Sequence, residues 1–192
     1  IVIAALVVIG LGLYAAAYVV SERQLTRIYA VREEPPLRIS SDEAAVERGR
    51  YLATSVNTCV DCHGPDLGGR VFLDAGPLGV VVGTNLTRGR GGIGGTFTDR
   101  DWELAIRHGI RPDGTSLVIM PSEAFIYLSD ADAAAIVSFL KQLSPVDREL
   151  PPTSLRWLGR ILMASGRLPL LVAPRVPESA HVASVDTTPS VA

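Results

Sequence analysis

Two cysteines and a histidine lie in one short run, and they carry the first chemical signal in the sequence. Cys59 and Cys62 are separated by two residues, and His63 follows directly. This spacing is the attachment pattern of a c-type haem. At the end of a helix, two thiols so placed can reach the two vinyl groups on one porphyrin edge, and the next residue can then bind the iron. The pattern predicts one covalent haem c on Cys59 and Cys62, with His63 as an axial ligand.

Other uses of the cysteine pair fit the sequence less well. A thioredoxin-like dithiol would be expected within a βαβ pattern, and the sequence shows no such pattern. A structural zinc site needs four ligands at short spacings, whereas His108 and His181 are distant from the pair. The chain has only two cysteines, so a scaffold of several disulfides is excluded.

The second axial ligand has four candidates: Met120, Met163, His108 and His181. Met120 precedes Pro121, which would stiffen the loop that presents the sulfur. Met163 lies in an amphipathic segment, where a methionine more often packs, and His108 lies at a helix end, where a histidine often faces solvent. The predicted metal ligands are therefore His63 and Met120. Such an iron is coordinatively saturated, which favours electron transfer over oxygen binding or substrate chemistry.

Three helices are predicted around these residues. The first begins at Ser40, with Glu43 placed for a capping box, and leads into the cysteine motif. A glycine-rich stretch from 64 to 95 follows and is predicted to be loop. The later helices begin at capping pairs and end at Gly109 and before Pro145. The capping pairs are Thr98 with Asp101 and Ser129 with Asp132.

Residues 1–20 are uniformly apolar and contain no charge. Twenty residues of helix rise about 30 Å, which matches a bilayer core, so a single-pass transmembrane anchor is expected. Tyr14 and Tyr18 lie near its end, where an aromatic belt would sit. A cleaved signal peptide is the alternative, because the alanines at 15–17 resemble a processing site. The sequence does not begin with methionine, so further residues are expected upstream.

The rest of the chain divides into three parts. A stalk over 21–40 is expected to lift the next part from the bilayer, and Pro35-Pro36 would stop any helix within it. A compact domain covers 41–146. Residues 147–192 comprise an amphipathic piece and a tail rich in Pro, Ser and Val, for which a partner protein is the expected support. The net charge of −2 and the lack of an aromatic and basic cluster argue against nucleic-acid binding.

Five longer segments carry a resemblance. They are CVDCHG (59–64), AGPLGVVVGTNLT (75–87), GGIGGTFTDRDWELAIRHGI (91–110), PDG (112–114) and MPSEAFIYLSDADAAAIVSFL (120–140). The chain resembles the class I cytochromes c over about 45–145. It is most similar to the haem modules of membrane cytochrome subunits that serve bacterial alcohol and gluconate dehydrogenases. The resemblance implies an all-α fold, a small helical shell around one haem, with Met120 as the axial methionine.

The same resemblance implies further contacts with the cofactor. Gly76-Pro77 would border the His63 side, with a backbone carbonyl that orients the imidazole. Asn85 would lie near a haem propionate, and Trp102 would pack beside the ring. Arg88 is a second candidate for a propionate, with a solvated loop charge as the alternative. Trp157, in the amphipathic piece, belongs either to a satellite patch on the domain or to an interface.

The expected function is one-electron transfer by a membrane-anchored cytochrome, with no substrate bond made or broken and no small-molecule substrate. The haem domain would lie outside the cytoplasm, where c-type maturation occurs. Related dehydrogenase subunits carry several haem modules, whereas this chain has one, between an anchor and a tail. That layout is similar to monohaem subunits of large respiratory assemblies, including alternative complex III. A fixed subunit of a respiratory or photosynthetic complex is thus expected. A tethered shuttle that serves an oxidase or reaction centre, or an open-iron haem enzyme, is the alternative.

Overall fold

The computed structural model describes residues 1–31 and 34–177. Seven α-helices occur there: α1 (Val2–Leu25), α2 (Glu43–Tyr51), α3 (Cys59–His63), α4 (Asp99–Glu103), α5 (Ser122–Phe125), α6 (Asp130–Leu140) and α7 (Trp157–Ala164). α2 continues into a π-helical turn, Leu52–Val56, and α4 into another, Leu104–His108. Short 3-10 turns cover Gly76–Leu78 and Ala173–Arg175.

A small antiparallel sheet accompanies the helices, so the expectation of an all-α fold is not confirmed. The strands are β1 (Arg70–Asp74), β2 (Gly79–Gly83) and β3 (Ser154–Leu155), in the order β1-β2-β3. β1 pairs with β2 from Arg70 opposite Gly83 to Asp74 opposite Val80, with an irregularity between Val71 and Leu73. The prediction that 64–95 is loop was therefore wrong over both strands. The β-branched run 80–82 supplies strand propensity within the glycine-rich stretch.

The helix that follows the second predicted capping pair forms as expected. The Thr98 hydroxyl accepts a hydrogen bond from the Asp101 amide, and the Asp101 carboxylate accepts one from the Thr98 amide. Ser129 caps α6 by accepting from the Asp132 amide. The first predicted start was wrong, because α2 begins at Glu43 without a side-chain cap.

The core lies where α6 crosses α2 and also contacts α4. All eight residues from 133 to 140 are buried, as expected for a helix surrounded by protein. Gly49 of α2 lies directly on the Ala135 carbonyl, where any Cβ would overlap that oxygen. The central apolar cluster is Val46, Leu52, Ala53, Leu67, Leu86, Trp102, Ile106, Phe125, Ile136, Val137, Phe139 and Leu140. The cysteine-motif helix α3 and the loop that carries Met120 both pack against this central cluster, through Cys59 and Met120.

Helix α1 is the one helix in the described ranges that is long and apolar enough to cross a membrane. It runs five residues beyond the expected anchor, to Leu25. The following segment differs from a free stalk, because it lies along the domain. The Tyr29 amide donates to the Gly114 carbonyl at 2.9 Å, and the Ser40 amide donates to Ser138 Oγ at 3.2 Å.

Candidate haem site

The cysteine motif forms its own short helix, α3, between two residues of positive φ. Thr58 precedes it at φ 47° and Gly64 follows at φ 83°. For a threonine this backbone is uncommon and costs on the order of 1–3 kcal/mol, so the surrounding structure must hold it. Gly83, at the end of β2, packs on the backbone of α3, where a Cβ would overlap the Cys62 carbonyl oxygen. The turn that carries both thiols is thus fixed from both ends and from one side.

The His63 imidazole is oriented by a backbone carbonyl. Its Nδ1 lies 2.7 Å from the Thr84 carbonyl oxygen. A carbonyl can only accept, so Nδ1 carries the proton and Nε2 keeps its lone pair for a metal. Burial lowers the pKa of His63, against the raising effect of the Thr84 hydrogen bond. Burial therefore favours the neutral imidazole, which is the form that binds iron.

Met120 is presented by a loop with an unusual backbone. Ile119 has φ 62°, a left-handed conformation that a β-branched residue rarely adopts. Pro121 follows Met120 and is the N-cap residue of α5. The side chain of Met120 packs against the central apolar cluster.

Residues 168–173, here called the strap, hold this loop in place. The Ile119 amide donates to the Leu170 carbonyl at 3.2 Å, and Val118 bridges to Leu171. Ser116 Oγ accepts from the amides of Val172 and Ala173, both at 2.9 Å. The strap lies in the predicted tail, which was expected to lack order on its own. Within the described part it is ordered by the domain itself, while residues 178–192 lie outside the described residues.

A largely apolar cleft brings the predicted residues together. It has two adjoining lobes with cavity volumes of ≈ 230 and ≈ 420 Å³. Cys59, His63 and Met120 line both lobes, while Cys62 lines the larger one. Helix α3 therefore faces the Met120 loop across a single space.

The lining of this cleft fits a haem. Trp102 lines the smaller lobe at 2% exposure, and its ring packs edge-on against Phe97 with centroids 5.1 Å apart. Its buried Nε1 has no hydrogen-bond acceptor among the described residues. A buried indole N–H normally has an acceptor, and a propionate carboxylate would supply one. Arg111 also lines this lobe and could pair with the same kind of group.

The two thiols are suited to covalent attachment. Burial raises the pKa of the Cys59 thiol to about 11 and also raises that of Cys62. A thiolate is therefore disfavoured where Cys59 lies, whereas a neutral thioether sulfur carries no charge to desolvate. The environment of Cys59 thus favours the product of haem attachment over a free, ionised cysteine.

Two residues that the resemblance implies for the haem site, Pro77 and Asn85, do not line the cleft. Pro77 lies in the Gly76–Leu78 turn, which packs on α7 and does not border the cleft; Thr84 orients His63 instead. Asn85 is 1% exposed, but its amide donates to the Val146 carbonyl at 2.7 Å and its oxygen accepts from Thr87. The carbonyl that orients His63 is therefore that of Thr84 and not one of the Gly76–Leu78 turn, whereas a position of Asn85 near a propionate stays a prediction.

The other ligand candidates lie elsewhere. His108 is buried beside Glu34, with Nε2 and Oε2 3.6 Å apart, and it does not face solvent as expected. Met163 is buried within α7. Neither lines the cleft. His181 lies outside the described residues, and Arg88 is exposed away from the cleft lining.

Three parts of the site were missed at the level of sequence. Thr84 acts through its backbone carbonyl, which every residue has, so the residue type at this position does not indicate the role. The strap depends on pairings across more than fifty residues, such as Val172 with Ser116. Arg111 could have been found, because it directly precedes the Pro112-Asp113-Gly114 turn that follows the second helix.

The chain is similar to known proteins over most of the residues that form this site. The profile of the cytochrome c family matches residues 46–144. The chain is 34% identical to the fructose dehydrogenase cytochrome subunit of Gluconobacter japonicus over 134 residues. The aligned region covers 65% of this chain and 27% of that protein. It is 33% identical over 129 residues to the gluconate 2-dehydrogenase cytochrome c subunit of Pantoea cypripedii, with 61% of this chain and 29% of that protein covered.

A third relative comes from an alcohol dehydrogenase. The alcohol dehydrogenase (quinone) cytochrome c subunit of Gluconobacter oxydans is 33% identical over 129 residues, which cover 61% of this chain and 27% of that protein. In all three cases the chain spans less than a third of the relative's length. The similarity therefore concerns one domain of larger proteins.

Proposed function

The chain belongs to the cytochrome c family, and from that premise we propose that it is a membrane-anchored one-electron carrier with a single haem c. Cys59 and Cys62 hold the haem, and His63 and Met120 bind its iron. The haem supplies a reversible one-electron couple. The observation that carries the proposal is the single cleft lined by Cys59, His63 and Met120.

The residues of the chain keep this site rigid and dry. Thr84 fixes the His63 ring, and the strap fixes the loop of Met120. Phe97 and Trp102 give the smaller lobe an apolar aromatic lining. A preorganised site needs little rearrangement when its charge changes, and two protein ligands leave no position for substrate. The chain thus transfers electrons and catalyses no bond change itself.

The membrane side of the proposal rests on α1. All of its apolar residues up to Leu13 are exposed, and none of its most apolar stretch is buried by the rest of the described protein. A helix of this length that is not covered by protein suits a bilayer. The haem domain follows on the extracytoplasmic side of the cell membrane, where c-type haem is attached.

We infer further that the chain works as a fixed subunit. The relatives are named as cytochrome subunits of dehydrogenases, and the segment after α1 lies along the domain. That contact leaves little free tether for a shuttle. A respiratory or photosynthetic assembly such as alternative complex III is the proposed setting. Copurification from detergent-solubilised membrane tests this step: partner subunits should accompany the chain, and a chain that migrates alone would mean a tethered shuttle.

Met120→Ala tests the iron site. The variant should keep its covalent haem but lose the methionine-ligated low-spin spectrum, and it should bind cyanide or carbon monoxide rapidly. Met163→Leu is the matched control, because Met163 is buried in α7 outside the cleft. An unchanged spectrum in Met120→Ala would show that another residue is the second axial ligand of the iron. Rapid carbon monoxide binding by the unmodified protein would favour an open-iron enzyme.

A further inference from the structure

Helix α7 lies outside the family match and packs at the end of the membrane helix. It contacts α1 extensively. The Arg160 guanidinium lies over the Tyr18 ring at 4.1 Å from the centroid and donates to Ser21 Oγ at 3.1 Å and Glu22 Oε2 at 2.9 Å. Ser21 is completely buried by this contact. Two charged groups and an aromatic ring therefore fix α7 against one turn of α1.

The contacted turn marks a definite depth. The apolar run of α1 ends at Val20, and Glu22 is the first charged residue after it. If α1 spans the bilayer, this turn lies at the boundary between hydrocarbon and headgroups. Helix α7 must then lie at the same boundary.

The outward face of α7 is apolar. Gly159 and Met163, one turn apart, are buried against the domain, and Gly159 lies on the Leu78 carbonyl. Residues 157, 158 and 161 project from the opposite side by helical geometry. They are Trp157, Leu158 and Ile161; Trp157 is 55% exposed, whereas Leu158 and Ile161 are half-buried. An exposed tryptophan on an amphipathic helix is typical of a membrane–water interface.

Two exposed arginines lie at the ends of the two packed helices. Arg23 in the last turn of α1 and Arg167 just after α7 are both exposed. Neither makes an ion pair with any of the described residues. Arginines near a bilayer surface attract anionic phospholipid headgroups.

We propose that α7 is an interfacial membrane helix. Its face formed by Trp157, Leu158 and Ile161 inserts into the headgroup boundary of an anionic bilayer, beside the end of α1. This inference rests on the proposed membrane anchor. Because α7 packs on the Gly76–Leu78 turn and leads into the strap, the contact holds the haem domain in one orientation on the membrane.

Fluorine NMR of the full-length holoprotein tests the proposal. The two tryptophans are labelled as fluorotryptophan, and Trp157→Phe assigns the two signals. The protein is placed in nanodiscs of mixed zwitterionic and anionic phospholipid. A nitroxide on the upper acyl chain of the lipid is then compared with a water-soluble paramagnetic agent. Trp102, buried in the cleft, serves as the internal control.

The expected result is loss of the Trp157 signal with the nitroxide lipid and its retention with the soluble agent. The reverse result would overturn the proposal, because Trp157 would then face water. Protection from both agents would also overturn it, since protein would cover the face. Flotation of the nanodiscs separates the proposed membrane anchor α1 from the proposed interfacial role of α7. A chain that fails to float with lipid contradicts the anchor, whereas a floating chain with an aqueous Trp157 contradicts only the role of α7.

Discussion

Ser116 is the residue through which the strap can be weakened without a change in the cleft. It is 1% exposed, and its hydroxyl oxygen accepts from the amides of Val172 and Ala173. In Ser116→Ala the Val172 amide keeps the Leu117 carbonyl at 3.1 Å. The Ala173 amide loses the acceptor that Ser116 provides. An unsatisfied buried group costs about 1–3 kcal/mol, and this is the expected loss in the contact between strap and loop.

That loss should appear as easier opening of the Met120 loop. A free-energy change of this size raises the open population by about 5- to 150-fold. An external ligand that binds only the open state gains apparent affinity in the same proportion. Cyanide titration of the ferric holoprotein, followed by the loss of the methionine-ligated spectrum, measures this directly.

Ser165→Ala is the matched control for this experiment. Ser165 is exposed just after α7, and its hydroxyl donates to the Leu162 carbonyl at 3.0 Å. The change removes a serine side-chain hydrogen bond located between α7 and the strap without any contact to the Met120 loop. The reasoning is refuted if both variants shift cyanide affinity equally, or if Ser116→Ala binds cyanide as the unmodified protein does.

Two further variants test the crossing of α2 with α6 and the ion pair between Asp66 and Arg148. Gly49→Ala places a Cβ on the Ala135 carbonyl and should lower the free energy of unfolding by about 1–3 kcal/mol. Urea denaturation should show no comparable loss for Gly95→Ala, where a Cβ meets nothing. The Arg148 hydrogen bond holds the pKa of Asp66 below its ordinary value of 3.8. This pair therefore stabilises the fold above about pH 3.8 and loses its effect as the pH falls further. Arg148→Gln should raise the Asp66 pKa in an NMR titration, and an unchanged pKa would contradict this cause.

Local signals in the sequence were reliable where the interaction itself is local. The capping pair Thr98 with Asp101 joins residues three apart, and the structure forms both hydrogen bonds. The predicted start at Ser40 failed because its hydroxyl bonds to Asp42 and its amide donates to Ser138. A distant partner thus redirected a residue whose local pattern indicated a cap.

The haem attachment pattern could be recognised from the sequence for the same reason. Its chemistry depends on the covalent spacing of Cys59, Cys62 and His63, which no tertiary contact can change. The apolar run of α1 is likewise a property of adjacent residues. The family follows from these segments together, and the match over 46–144 confirms it.

Only the tertiary structure decided which distant residues complete the site. It placed Met120 in the lining of the cleft and His108 and Met163 outside it, and it set the Thr84 carbonyl against His63 Nδ1. These outcomes depend on how separate segments pack, since the pairing that holds Met120 joins residues 116–119 to a strap fifty-odd residues away. Such contacts arise from the sum of many weak interactions over the folded chain, and no short pattern encodes them.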